Sequence, residues 1–170
     1  MLTACSTHSD AVYQTSFDFS KVQTYSIYQR NSTFTETQNL TDTKRNSIEI
    51  AIEKSLEKQG LEYQEVDQAD IVITYHLLNG KRNDYHDYNK AVLFCHHCLK
   101  ANNWHKGDND LKVAFGSLII DLIDPQKKRS IWRNIAPLKL KAKENSQVTN
   151  EKIQQEVLMM LQQYPTEKLN

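Results

Sequence analysis

Gly116-Ser117-Leu118-Ile119-Ile120-Asp121-Leu122-Ile123-Asp124 runs into Pro125-Gln126-Lys127-Lys128 and returns through Ser130-Ile131-Trp132-Arg133. The first arm is rich in isoleucine and leucine. The proline and charges after it make a turn that stays wet. The pattern predicts a hairpin, with one strand over Val113–Ile123 and a return over Ser130–Lys141. Pro137 cannot donate to a ladder, so the far half of the return is expected at an edge or a bend. Setting Asp124 against Ser130 places Ile123 opposite Ile131, Asp121 opposite Arg133 and Ile119 opposite Ile135. The one charged pair is then matched in sign on an otherwise apolar face, and a two-residue shift would break it. Asp121 and Arg133 are therefore expected as a structural ion pair. Asp124 lies three residues from Asp121, on the opposite strand face, so a shared acid–base role for the two carboxylates is not expected.

On either side of the hairpin the chain alternates strand and helix. Ser16–Tyr28 reads as a strand, with Phe17, Phe19, Val22, Tyr25 and Ile27 as its apolar members. Asn31–Thr43 reads as a polar loop. A helix follows from Thr41 or Asp42, with Ile48, Ile52, Leu56 and Ala51 on one stripe and Gly60 as its stop. Ala69–Leu77 alternates Ile71, Ile73, Tyr75 and Leu77 against Val72, Thr74 and His76, as a central strand would. A second helix is expected over Thr149–Gln163, its stripe made by Ile153, Val157, Met160, Leu161 and Tyr164, with Pro165 ending it. The expected fold is α+β, a mainly antiparallel sheet with two helices packed on one face, in the order β-α-β-(insert)-β-β-α.

The chain has 170 residues, 39% of them hydrophobic, which suits one domain with its own core. Its 21 basic and 21 acidic residues cancel, which argues against a nucleic-acid partner. No apolar run reaches the about 20 residues of a membrane-spanning helix. Leu2-Thr3-Ala4-Cys5, followed by a polar stretch, reads as a bacterial lipobox. On that reading residues 1–4 are the remnant of a signal peptide and Cys5 carries acyl chains, palmitate among them. Residues 5–15 would be a tether and 16–166 a single domain. Several acyl chains on one cysteine suffice for stable anchoring.

The insert, residues 79–112, holds the unusual chemistry. Cys95-His96-His97-Cys98 places two thiols three residues apart, and five of the six histidines fall between His76 and His105. Three readings remain open: a structural disulfide between Cys95 and Cys98, a zinc or copper site using Cys95, Cys98, His96, His97 and His105, and a redox pair. Tyr85, His86, Tyr88 and Trp104 either pack the insert down or form a surface for a glycan or protein. The sequence holds no nucleophile elbow, phosphate loop or dinucleotide fingerprint, and no catalytic residue is assigned.

Several motifs in order carry a resemblance. They are Asp18-Phe19-Ser20-Lys21 with Thr24-Tyr25, then Ala69-Asp70-Ile71-Val72-Ile73-Thr74-Tyr75-His76, then Gly116–Asp124, Ile131-Trp132-Arg133 and Tyr164-Pro165. Together they resemble the bacterial lipoproteins grouped as domain of unknown function 4136. Asn134 stands where that family usually has glycine, and Asn tolerates a positive φ best among the other residues. The resemblance implies an envelope lipoprotein of a Gram-negative bacterium, facing the periplasm. Ser6 after Cys5, in place of Asp, points to the outer membrane. The expected role is structural or accessory, binding another envelope protein or a glycan. The alternative is a zinc- or copper-binding periplasmic protein.

Overall fold

The computed structural model describes residues 10–28, 40–107 and 111–166. Cys5, residues 1–4 and most of the Asn31–Thr43 loop lie outside the described residues. Seven strands form one sheet: β1 Val12–Gln14, β2 Thr24–Ile27, β3 Glu62–Tyr63, β4 Ile71–Leu77, β5 Trp104–His105, β6 Ser117–Asp124 and β7 Arg129–Pro137. Their spatial order is β3-β2-β4-β6-β7-β1-β5. Three α-helices accompany them: α1 Asp42–Lys58, α2 Asp84–Ala91 and α3 Ser146–Leu161.

The α+β class holds, and its details differ from the sequence expectation. The sheet is mixed: four of its six pairings are antiparallel, but β2 runs parallel to both β3 and β4. The cause is α1. Its 17 residues span about 25 Å and carry the chain back along the sheet, so β4 enters in the same direction as β2. The expected strand over Ser16–Tyr28 is broken by a 3-10 turn at Phe19–Lys21, and only Thr24–Ile27 pairs. Val12–Gln14, inside the stretch read as tether, is a strand between β7 and β5. Among the described residues there are three α-helices rather than the two expected, and α2 lies in the insert.

The β6–β7 register sets Asp121 opposite Arg133 and Ile119 opposite Ile135. Beyond Leu122 a bulge shifts it by one residue, so Ile123 faces Ser130 and Asp124 faces Arg129. Ile131 is the extra residue, and with its neighbour Trp132 it packs into the helix-side core. Pro137 is the last residue of β7.

Both faces of the sheet are covered. On one, α1 and α3 press Ile48, Ile52, Leu56, Ile153 and Val157 onto Ile71, Ile73, Ile120 and Leu122. Thr41 caps α1 by accepting from the Lys44 amide, and Asn145 caps α3 by accepting from the Gln147 amide. On the other face the insert folds down, setting Tyr88, Val92, Phe94 and Trp104 against Val12, Val72, Ile119 and Ile135. The insert is a third layer. Coverage on both sides explains why β4 and β6 are buried along almost their whole length.

Candidate functional site

Beneath the insert lies a buried polar network. Asp121 and Arg133 are both 0% exposed. Arg133 donates through Nε to Asp121 Oδ1 and through Nη2 to Oδ2, each at 2.9 Å, a two-pronged pair. Ser130 Oγ donates to Oδ1 at 2.5 Å, and the Tyr88 hydroxyl donates to Oδ2 at 2.9 Å. Thr74 Oγ1 then lies 2.9 Å from the Tyr88 oxygen. Arg133 Nη1 reaches Asn89 Oδ1 at 2.5 Å, and the guanidinium sits 3.6 Å from the centre of the Phe94 ring. Burial alone would pull the Arg133 pKa down, but the Asp121 carboxylate holds it above the ordinary value. Burial, reinforced by Asp121, pushes the Tyr88 phenol well up. Tyr88 and Arg133 are thus held as a neutral phenol and a cation. The network joins β4, β6 and β7 to α2 and to the segment after it, and so clamps the insert to the sheet.

A second polar link enters the same layer. His76 Nε2 lies 2.6 Å from Asp84 Oδ1, while Asp84 Oδ2 accepts from the Asn79 amide at 2.7 Å. The imidazole stacks on Tyr88, with ring centres 4.7 Å apart. Its Nδ1 is buried without a hydrogen-bond partner among the described residues. Burial lowers the His76 pKa, outweighing the opposite pull of Asp84. An imidazole depressed in the folded state contributes stability that is present above about pH 6.5 and lost as pH falls through the folded value. His76→Gln should therefore flatten the fall in stability as pH drops below about 6.5. Urea midpoints across that range measure the slope, and equal slopes for both proteins would contradict the assignment.

The structure brings some sequence-flagged residues together and keeps others apart. The Sγ atoms of Cys95 and Cys98 are 2.04 Å apart, at disulfide distance, in a 3-10 turn over His96–Lys100. The Cys98 amide also donates to Cys95 Sγ at 3.1 Å. His96 and His97 are exposed, with ring centres 6.4 Å apart. His105 lies on β5, stacked on Tyr13 at 4.5 Å. Among the described residues no three of His, Cys, Asp and Glu converge as metal ligands. Tyr88 and Trp104 are buried packing residues, and His86 is exposed. Thr74, His76, Asp84, Asn89, Phe94 and Ser130 escaped the sequence reading as members of the network. For Thr74, His76 and Ser130 the signal was a polar residue on an inner strand beside the charged pair, whereas Asp84, Asn89 and Phe94 lie in the insert and carry no such mark.

A groove of about 1180 Å³ opens beside this layer, over β4. Val72 and Thr74 form its floor, and residues 66–70, 91–93 and 124–128 form its walls. Its polar groups near the floor are occupied by the fold. Thr74 is joined to Tyr88. Asp70 Oδ2 accepts from the Gln23 and Thr24 amides at 2.9 and 3.0 Å, and these bonds hold its carboxyl below the ordinary value. Asp124 Oδ1 accepts from the Gln126 and Lys127 amides. The exposed side chains of Asp67, Lys127 and Lys128 add charge along the walls.

Comparison with known proteins adds family and fold. The sequence model of the domain of unknown function DUF4136 matches residues 9–166. A DUF4136 family protein from Bacteroides thetaiotaomicron VPI-5482 superposes with a TM-score of 0.58 at 11% identity, over 92% of this chain and 96% of that one. A PDZ domain protein from Parabacteroides distasonis ATCC 8503 gives a TM-score of 0.52 at 17% identity. It is matched over 95% of this chain and 36% of its own length, so this chain spans about a third of it. At these identities the likeness is one of fold alone. No curated protein matches the chain.

Proposed function

The chain belongs to the DUF4136 family, and from that premise we propose that it is a lipid-anchored protein of the Gram-negative envelope with a structural or accessory role. Acyl chains on Cys5 hold it to the outer membrane, and the domain faces the periplasm. The observation that carries the reading is Cys95 with Cys98 at disulfide distance on a half-buried turn. Such a pair persists in an oxidising compartment and is reduced in the cytosol. Two further features support it. Cys5 stands just ahead of the family match, and among the described residues no helix is long and apolar enough to cross a membrane.

The role within the envelope is binding. The groove is open, pairs Val72 with Thr74 at its floor, and carries exposed charges on its walls, a surface suited to docking a partner. Phe17 and the exposed Tyr28 line the groove, aromatic faces that suit either a protein segment or a glycan.

Thiol titration tests the compartment. Protein taken from the envelope without reductant should show no reactive thiol at Cys95 or Cys98, and two after reduction. Two free thiols in the unreduced protein would overturn the disulfide. About one equivalent of zinc or copper accompanying them would favour the metal-binding alternative.

A further inference from the structure

The register of the sheet fixes where the chain leaves the domain on its way to Cys5. β1 is antiparallel to β7 with Val12 opposite Arg133, so the chain before Val12 runs toward the Pro137 end of the sheet. That end also holds the close of β4 and the start of β6. The Leu78 amide donates to the Ser117 carbonyl, and the Gly116 amide to the Leu78 carbonyl, each at 2.9 Å. The segment leading to β6 starts at the same place, since a Cβ on Gly107 would overlap the Asp10 side chain. Five Cα–Cα steps separate Cys5 from Asp10. Fully extended they reach at most about 17 Å, comparable with the radius of gyration of about 15 Å for a domain of this size. A lipid on Cys5 therefore keeps this end of the domain, and not the groove walls beyond the far ends of the strands, close to the bilayer.

This end has the surface chemistry of a membrane contact. Phe115 is 78% exposed and Val113 43% exposed, side by side on one loop. The Phe115 ring lies against Gly80, where an added Cβ would stand 2.9 Å from Cδ2, so the ring is seated on backbone that only glycine leaves open. Lys81, Arg82, Lys112 and Lys139, all exposed, flank it. An apolar tip flanked by four cations, with Asp10 at the same end, suits an anionic headgroup boundary.

We propose that this end of the domain, with Phe115 at its tip, docks on the surface of a bilayer containing anionic phospholipid. The orientation rests on the lipid-anchor reading, whereas the affinity of the surface belongs to the domain itself.

Two measurements test it separately. The first uses the full chain as Cys5→Ser, which carries no lipid, with vesicles of phosphatidylglycerol and phosphatidylethanolamine. Sedimentation should show partitioning that falls at least fivefold in Phe115→Asp and falls again with added salt. Equal partitioning of the two proteins, or none by either, would overturn the proposal whatever the fate of Cys5. The second uses the chain with Cys5 intact, as Phe115→Trp, in vesicles with brominated acyl chains. The new tryptophan should be quenched, while one at Leu93→Trp, 55% exposed at the groove wall, should not. Quenching at both positions or at neither would overturn it. An N-terminal peptide without lipid, alongside specific binding by Cys5→Ser, would remove the anchor and leave the surface standing.

Discussion

Arg133→Met is expected to lower stability by about 3–5 kcal/mol, because it leaves the Asp121 carboxylate buried without its cation. Asp121 and Arg133 are both fully buried, and each oxygen of the carboxylate accepts from the guanidinium. Ser130 and Tyr88 would still donate to Asp121, but two neutral donors do not replace a cation in a dry site. The variant also removes the group that holds Asn89 and faces Phe94. Urea unfolding with fixed slope measures the loss. The double variant Asp121→Leu with Arg133→Met should recover much of it, because an apolar pair of similar volume avoids the charge burial altogether. A loss below about 1 kcal/mol in the single variant would mean the pair does not hold the layers together.

Phe94→Ala is expected to cost about 3–5 kcal/mol by the usual measure of a buried aromatic. More telling is where the loss falls. Phe94 packs edge-on to Trp104 with ring centres 5.8 Å apart and lies over Arg133, so it fastens the middle of the insert to the sheet. Hydrogen exchange should quicken across residues 84–105 while the amides of α1, α3 and β6 keep most of their protection. Uniform loss across the chain would contradict the insert as a separate layer clamped from one side.

The hairpin is legible because an apolar run meets a clear turn signal and its one charged pair fixes the register. The bulge after Leu122 was not, since one extra residue leaves no mark in a run where neighbours on both faces are apolar. Val12–Gln14 is too short for a period to show, and it belongs to the sheet only through partners more than eighty residues away. The parallel entry of β4 depends on where α1 delivers the chain, which spacing within either strand does not record. The insert shows no periodic stripe because its buried residues are scattered: Tyr88 and Val92 around α2, Phe94 before the cysteines, and Trp104 on β5. A clue was present on the sheet. Val72, Ile119 and Ile135 make the face opposite α1 and α3 apolar, and such a face needs a cover. Residues 79–112 were the longest stretch left to supply it. The candidate site was visible only as the pair Asp121 and Arg133. Its other members come from β4, the start of β7 and the insert, and only the folded sheet brings them to that pair.

The lipid anchor is the claim on which location, orientation and role all depend. Mass spectrometry of the N-terminal peptide from detergent-extracted envelopes measures it directly. The expected result is a mature chain beginning at Cys5 and carrying acyl chains on that residue. A peptide that continues unmodified through residues 1–5, recovered from the water-soluble fraction, would contradict it.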